Sequence, residues 1–239
     1  MCIRHAALAA AAGSALLAAA ALPADALADP NPNPWGAASN DFASYEGSVS
    51  ASDLLAKVND CQQISNGGYR TDESAPANIP VCAKNGAVFW QADMDIDCDG
   101  QPTDRCNAAT DPWFQDATTF QQSDGAQLNA ETLPYIVVPE SGIWDYGSSR
   151  ITGGTVAAVI YEGRVQYAVV GDTGPTGIIG EASYATAEAL GINPDPMGGG
   201  AESGVTYILF ENSLVSPIES HDGAVTLGEA LARDFLQNN

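Results

Sequence analysis

Val156-Ala157-Ala158-Val159-Ile160-Tyr161, Glu162-Gly163-Arg164, Val165-Gln166-Tyr167-Ala168-Val169-Val170 is the stretch whose reading decides the fold. Two short apolar runs rich in β-branched residues, separated by a brief segment containing glycine, read as a β-hairpin. Working outward, Ala87-Val88-Phe89-Trp90, Tyr135-Ile136-Val137-Val138 and residues 205–210 are further strand candidates, each set off by Gly- and Pro-bearing turns. Helical signals are fewer. Leu54, Leu55, Val58 and Ile64 recur at near-helical spacing over 53–64, behind Ser50 and Ser52 as caps. Residues 182–190 are Ala-rich and stop at Gly191, and Thr226 with Glu229 reads as a capping box opening a helix over 227–237. There is no internal repeat and no regular strand–helix alternation, which disfavours a parallel α/β sheet. The sequence predicts a mainly β, single-domain β-barrel or sandwich with a few peripheral helices.

The 239-residue chain carries 8 Lys+Arg against 30 Asp+Glu, a net charge of -22. DNA and anionic membranes are poor partners for such a surface, and a cationic substrate is a good one. Only 16% of residues are charged and 45% are apolar, so the chain is not an acidic disordered tail and can bury a core. Its first 28 residues differ from the rest: Arg4 and His5 precede an Ala/Leu run that stops at Pro23 and ends in Ala26-Leu27-Ala28. That pattern predicts a secretory signal peptide over 1–28, so the mature product is expected to be secreted, extracellular and free of the membrane. Pro30, Pro32 and Pro34 interleaved with Asn mark a linker over 29–50, and 51–239 is the expected catalytic domain.

Removal of the leader takes Cys2 with it and leaves Cys61, Cys82, Cys98 and Cys106. An even number in an oxidising compartment predicts disulfides, and the shortest loops pair Cys61 with Cys82 and Cys98 with Cys106. A zinc site is disfavoured because no Cys-x-x-Cys occurs and only His221 remains to help.

Two acidic segments carry candidate chemistry. In Asp93-Met94-Asp95-Ile96-Asp97-Cys98-Asp99-Gly100, the residues Asp95, Asp97, Asp99 and Gly100 reproduce the opening of a calcium loop, but its twelfth place is Cys106 instead of a bidentate Glu. Three readings stay open for these residues: a calcium site unlike an EF-hand, a cation-binding wall of a substrate cleft, or a solvated acidic strand end. In the second segment an apolar strand delivers Asp172 into Gly171-Asp172-Thr173-Gly174-Pro175, and Glu181 follows just before a short helix. Two carboxylates at neighbouring element ends suit glycoside hydrolysis, in which one protonates the leaving oxygen and the other activates water or attacks. The residues alone equally allow a turn acid at Asp172 and a helix N-terminal acid at Glu181.

The motifs Asp93 to Gly100, Asp111-Pro112-Trp113-Phe114, Gly171-Asp172-Thr173-Gly174-Pro175, Gly180-Glu181-Ala182-Ser183 and Gly204-Val205-Thr206-Tyr207-Ile208-Leu209-Phe210 occur in order over residues 67–220. In these the chain resembles the glycoside hydrolase family 75 chitosanases, endo-acting enzymes of fungi and actinobacteria. The resemblance implies hydrolysis of β-1,4 bonds in chitosan with inversion, by an Asp and a Glu that fall on Asp172 and Glu181, in a monomer with no cofactor. It also implies a meaning for the charge: protonated chitosan is a polycation that an acidic cleft would attract, with Asp93, Asp95 and Asp97 as ammonium contacts. Trp90, Trp113 and Trp144 are candidate sugar platforms. The Gly171 to Gly174 turn resembles loops of six-stranded double-psi barrels, so that barrel is the expected fold. Rival classes are an aspartic protease loop at Asp172-Thr173-Gly174, for which the sequence holds no second copy, a calcium-stabilised carbohydrate-binding module without catalysis, and a barrel protein acting on peptidoglycan.

Overall fold

The computed structural model describes residues 46–239. The expected leader over 1–28 and residues 29–45 of the expected linker lie outside the described residues. In chain order the elements are α1 (Ala51–Lys57), β1 (Gln62–Gln63), β2 (Cys82–Lys84), β3 (Ala87–Asp97), β4 (Tyr135–Pro139), β5 (Val156–Tyr161), β6 (Arg164–Gly174), β7 (Glu181–Ser183), α2 (Tyr184–Leu190), β8 (Ala201–Phe210) and α3 (His221–Asn238).

Six of the strands close a ring, β3-β7-β4-β6-β5-β8 and back to β3, while β2 and β1 extend from the start of β3. The fold is therefore the expected six-stranded β-barrel with peripheral helices. The pairings β3–β7 and β4–β6 are parallel, and β5–β6, β5–β8 and β3–β8 are antiparallel. The predicted hairpin is present and tight. Glu162 and Gly163 both take positive φ, 44° and 79°, as a two-residue turn matching the strand twist requires, and Arg164 already pairs with Tyr161. Both expected disulfides form, Cys61–Cys82 tying β2 to the chain before β1, and Cys98–Cys106 closing the loop after β3.

Alternation sends one face of every strand inward. Val88, Ile136, Val159, Val170, Ala182 and Tyr207, one from each barrel strand, belong to a single buried cluster. Trp90 lies within it, facing its register partner Tyr207 at 5.3 Å between ring centroids, with Trp144 edge-on at 6.0 Å. The opposite face carries a second cluster, roofed by α3. There Gly228 lets the helix descend onto the Tyr167 ring, and Phe235 meets Phe210 at 6.1 Å. The last residues of the expected linker are docked rather than free: Glu46 donates its N–H to Val165, Ser48 bonds Glu229, and Val49 is buried.

Helix boundaries differ from the sequence reading in ways that have physical causes. Ser50 caps α1 by accepting from Asp53 N–H at 3.2 Å, but the helix stops at Val58 because residues 62–63 are drawn into pairing with β2 beside the disulfide. Ser183, expected to be helical, is the N-cap of α2, and Glu181, Ala182 and Ser183 are strand because β3 supplies a pairing edge. Ser220 caps α3 by accepting from Gly223, so Thr226 lies inside the helix. Its expected capping partner Glu229 instead holds Ser48 and Arg233.

One register shift bears on everything below. Ile136 pairs with Val170 and Val137 with Asp172, leaving Gly171 as an extra residue in β6. A Cβ there would lie 2.7 Å from Tyr135 and 2.8 Å from Leu128, so the bulge needs glycine.

The close seating of α3 on Tyr167 gives a direct test. Gly228→Val adds a side chain where a Cβ alone would run into the ring, and overpacking of about 1–3 kcal/mol exceeds the few tenths that valine gains in helix propensity. The urea midpoint of unfolding is expected to fall, with little change in the slope.

Candidate active site

The ends of β3 and β6 and the start of β7 meet at one side of the barrel, and their acids line a cleft of about 370 Å³. Asp97 and Asp99 come from the end of β3 and the residues after it, Asp172 from the end of β6, and Glu181 from the start of β7; Asp111, Trp113 and Glu140 complete the acidic and aromatic rim. Asp172 faces this cleft because of the Gly171 bulge. Its Oδ1 accepts two backbone N–H groups, from Thr119 at 2.8 Å and Thr173 at 2.7 Å. Burial pushes its carboxyl above the usual range, and those two bonds pull the other way.

Glu181 has a different environment. A Cβ at Gly174 would collide with Glu181 Oε2, so the carboxyl group leans over β6 two residues beyond Asp172. Among the described residues no side chain or backbone N–H donates a hydrogen bond to it. Burial first, then the charges of Asp95, Asp172, Asp99 and Asp93, push it up to about 7. Asp95 is its parallel register partner on β3. Asp99 is pushed up to about 6 by burial, against a Gln115 N–H bond at 2.6 Å, and Asp97 is driven well above the carboxylate range by burial and by Asp99.

The alternating acids of β3 thus part company. Asp97 lies in the cleft, Asp95 stands beside Glu181, and Asp93 is buried against Gly180 outside the cleft lining. Of the tryptophans, Trp113 is 83% exposed on the rim, whereas Trp90 at 1% and Trp144 at 3% are enclosed in the barrel core and present no face to a sugar. The calcium-candidate set changes as well. Carboxylate oxygens of Asp97, Asp99 and Asp172 lie within 4.8 Å of one another, a group a hard cation could bridge, and Asp95 is not among them.

A family model described as fungal chitosanase of glycosyl hydrolase group 75 matches residues 94–233, which hold the cleft acids Asp97, Asp99, Asp172 and Glu181. The chain belongs to this family. It is 31% identical over 158 residues to an endo-chitosanase C of Aspergillus oryzae, covering 64% of this chain and 37% of the relative. An endo-chitosanase B of A. oryzae is 29% identical over 178 residues, with 66% and 71% covered, and an endo-chitosanase of Aspergillus fumigatus is 28% identical over 145 residues, with 54% and 60% covered. The chain thus spans little more than a third of endo-chitosanase C.

Sequence reasoning about this family-75 chain missed Thr119 and Glu140. Thr119 lies 53 positions from the carboxylate it serves, and nothing local announces it. Glu140 follows an apolar strand ending in Pro139, the same strand-then-acid pattern that singles out Asp172.

The crowded carboxyls have a consequence for stability. Asp93, Asp99 and Glu181 hold their protons more tightly folded than unfolded, at about 7, 6 and 7. The folded state therefore binds more protons, and their contribution is complete below about pH 4, near the unfolded carboxyl values, and is lost as pH rises through 6 to 7. The thermal midpoint of unfolding is expected to decline from pH 5 to pH 8, and Asp95→Asn should flatten that decline. A midpoint that rises over this interval would contradict it.

Proposed function

We propose that the chain is a secreted, monomeric chitosanase that hydrolyses β-1,4 bonds between glucosamine units with inversion, Glu181 serving as general acid and Asp172 as general base. The observation that carries this is the contrast between two carboxyls in one cleft. Glu181, without a donor and ringed by acids, retains its proton to about pH 7, while Asp172 is held by two N–H groups that favour its ionised form. Glu181 gives its proton to the glycosidic oxygen as the bond to the anomeric carbon breaks. Asp172 takes a proton from a water that adds to that carbon from the opposite face. The cycle leaves Glu181 ionised and Asp172 protonated, and exchange with solvent restores both.

Glu181 Oε2 sits over position 174, two residues beyond Asp172 on β6, so the two carboxyls border one cleft, the arrangement that inversion through an intervening water uses. Asp99, and Asp97 once an ammonium group faces it and draws its proton off, supply negative charge for the substrate and for the positive charge that develops on the sugar ring, and Trp113 offers a flat apolar face at the rim.

Glu181→Gln and Asp172→Asn are each expected to lower kcat on chitosan by about 10²–10⁴. A glucosamine oligomer with an activated leaving group needs little acid help, so it should restore substantial activity to Glu181→Gln and none to Asp172→Asn; the reverse pattern exchanges the roles. The first product anomer seen by NMR should be α. Electrostatic capture of a polycation also predicts that kcat/KM on long chitosan falls between 0.1 and 1 M salt, as the screening length shrinks from about 10 to about 3 Å, more steeply than on a trimer.

A further inference from the structure

Asp172 uses its two carboxylate oxygens unequally. Both backbone N–H groups that bind it, from Thr119 and Thr173, go to Oδ1, which leaves Oδ2 without a backbone partner. The Thr173 N–H comes with β6 itself, whereas the Thr119 N–H is brought by a segment between β3 and β4 that belongs to no helix or strand. Something must hold that segment against β6. Its own shape is set by the buried Thr118: the Thr118 N–H donates to Gln127 Oε1 at 2.8 Å, its hydroxyl donates to the Phe120 carbonyl at 2.7 Å, and the Leu128 N–H donates to that hydroxyl at 3.1 Å. None of these bonds reaches β6. Besides the Thr119 N–H, two contacts do. The Phe120 N–H donates to the Gly171 carbonyl at a long 3.4 Å, and the hydroxyls of Thr119 and Thr173 lie 2.7 Å apart, one donating to the other.

We propose that Thr119 and Thr173 are positioning residues for the base of the reaction: their paired hydroxyls clasp residues 118–120 to the end of β6, keep the Thr119 N–H on Asp172 Oδ1, and so leave Oδ2 as the oxygen that takes the proton of the attacking water. The inference rests on the reading of Asp172 as general base and adds what holds that base in place. Thr119 attaches at two points, its N–H to Asp172 and its hydroxyl to Thr173, so the segment is fixed in angle as well as in distance, where one bond would leave it free to swing. Threonine suits the task because its β-branched side chain is stiff at χ1, so a bond to the hydroxyl also orients the backbone behind it. No cation does this work. The cleft lining holds Asp97, Asp99, Asp111, Glu140 and Glu181 beside Asp172, and no Lys, Arg or His. Thr119 is exposed and water competes for the hydroxyl pair, so its loss is expected to show in turnover rather than in unfolding.

Thr119→Val and Thr119→Ala, with the same two changes at Thr173, remove each hydroxyl in two ways, so that a packing fault of one replacement does not decide the outcome. Thr119→Ser and Thr173→Ser retain it. kcat and KM are measured on a glucosamine hexamer and on a glucosamine oligomer with an activated leaving group, with the urea midpoint as the check on folding. Each hydroxyl-free variant should lose about tenfold in kcat with KM within about twofold, and the double valine variant should lose no more than the worse single one, since residues that act as one unit are not additive. The serine variants should recover most of the loss. The deficit should be as large with the activated leaving group, because activation of water is impaired and departure of the leaving sugar is not. Wild-type kcat in the alanine and valine variants, losses that multiply in the double variant, a loss carried by KM, serine variants as poor as the valines, or a deficit relieved by the good leaving group overturns the proposal. Asp172→Asn, assayed alongside, separates the two levels. If it keeps full activity, or if the wild type does not cleave the hexamer, the base reading fails and the clasp with it; if it is inactive while the hydroxyl-free variants match the wild type, the clasp alone fails.

Discussion

The contact on which the molecule turns is the short parallel pairing of β7 with the end of β3, Asp95 with Glu181, Ile96 with Ala182 and Asp97 with Ser183. It completes the ring, since β4 reaches β3 only through β7. The same register sets a Glu beside an Asp, so ring closure and carboxyl crowding are one event. Its opposition is local and electrostatic; its support is distributed. Asp95 donates its N–H to Gly180 at 2.8 Å, and the Ser183 hydroxyl accepts from Tyr135 N–H, donates to Leu133 and caps α2. A three-residue strand could not persist alone. Here one serine binds it to β4 and to a helix.

The acids exist in this state because the barrel holds them there. Ordinary carboxylates at such spacing would separate into solvent, but Asp97, Asp172 and Glu181 are each fixed to strands whose opposite faces are buried in the core. The repulsion of like charges is thus set against hydrophobic packing, which resists it over the whole ring. Backbone N–H groups then divide the acids into two kinds: Asp97, Asp99 and Asp172 receive them, and Glu181 is passed over.

Much of this is legible in the chain. Five barrel strands announce themselves as apolar runs, and the hairpin through Glu162-Gly163 sets the register of two of them. β7 is not legible, because Ala182 and Ser183 suit a helix start and only the free edge of β3 makes them strand. The acid motifs are readable as residues but not as a partition: Asp93, Asp95 and Asp97 alternate, yet the elements that meet each of them come from far along the chain. Trp90 is instructive in a different way. It shares its strand face with Val88 and Ala92, and an aromatic residue in such an apolar alternation belongs to the core by pattern alone.

The extra residue at Gly171 has a consequence that concerns counting. Strands are odd–even devices: adding or removing one residue turns every later side chain over. Upstream of the bulge Val170 points into the barrel, and strict alternation would send Asp172 the same way, into an apolar interior where an ionised carboxyl would have no partner. The bulge reverses that parity, so that the chemistry of the cleft is specified by the number of residues between the hairpin and Asp172 as much as by their identities. A residue gained or lost in a connecting loop leaves the facing of the strands it joins unchanged; one gained or lost in β6 between the hairpin and Asp172 does not.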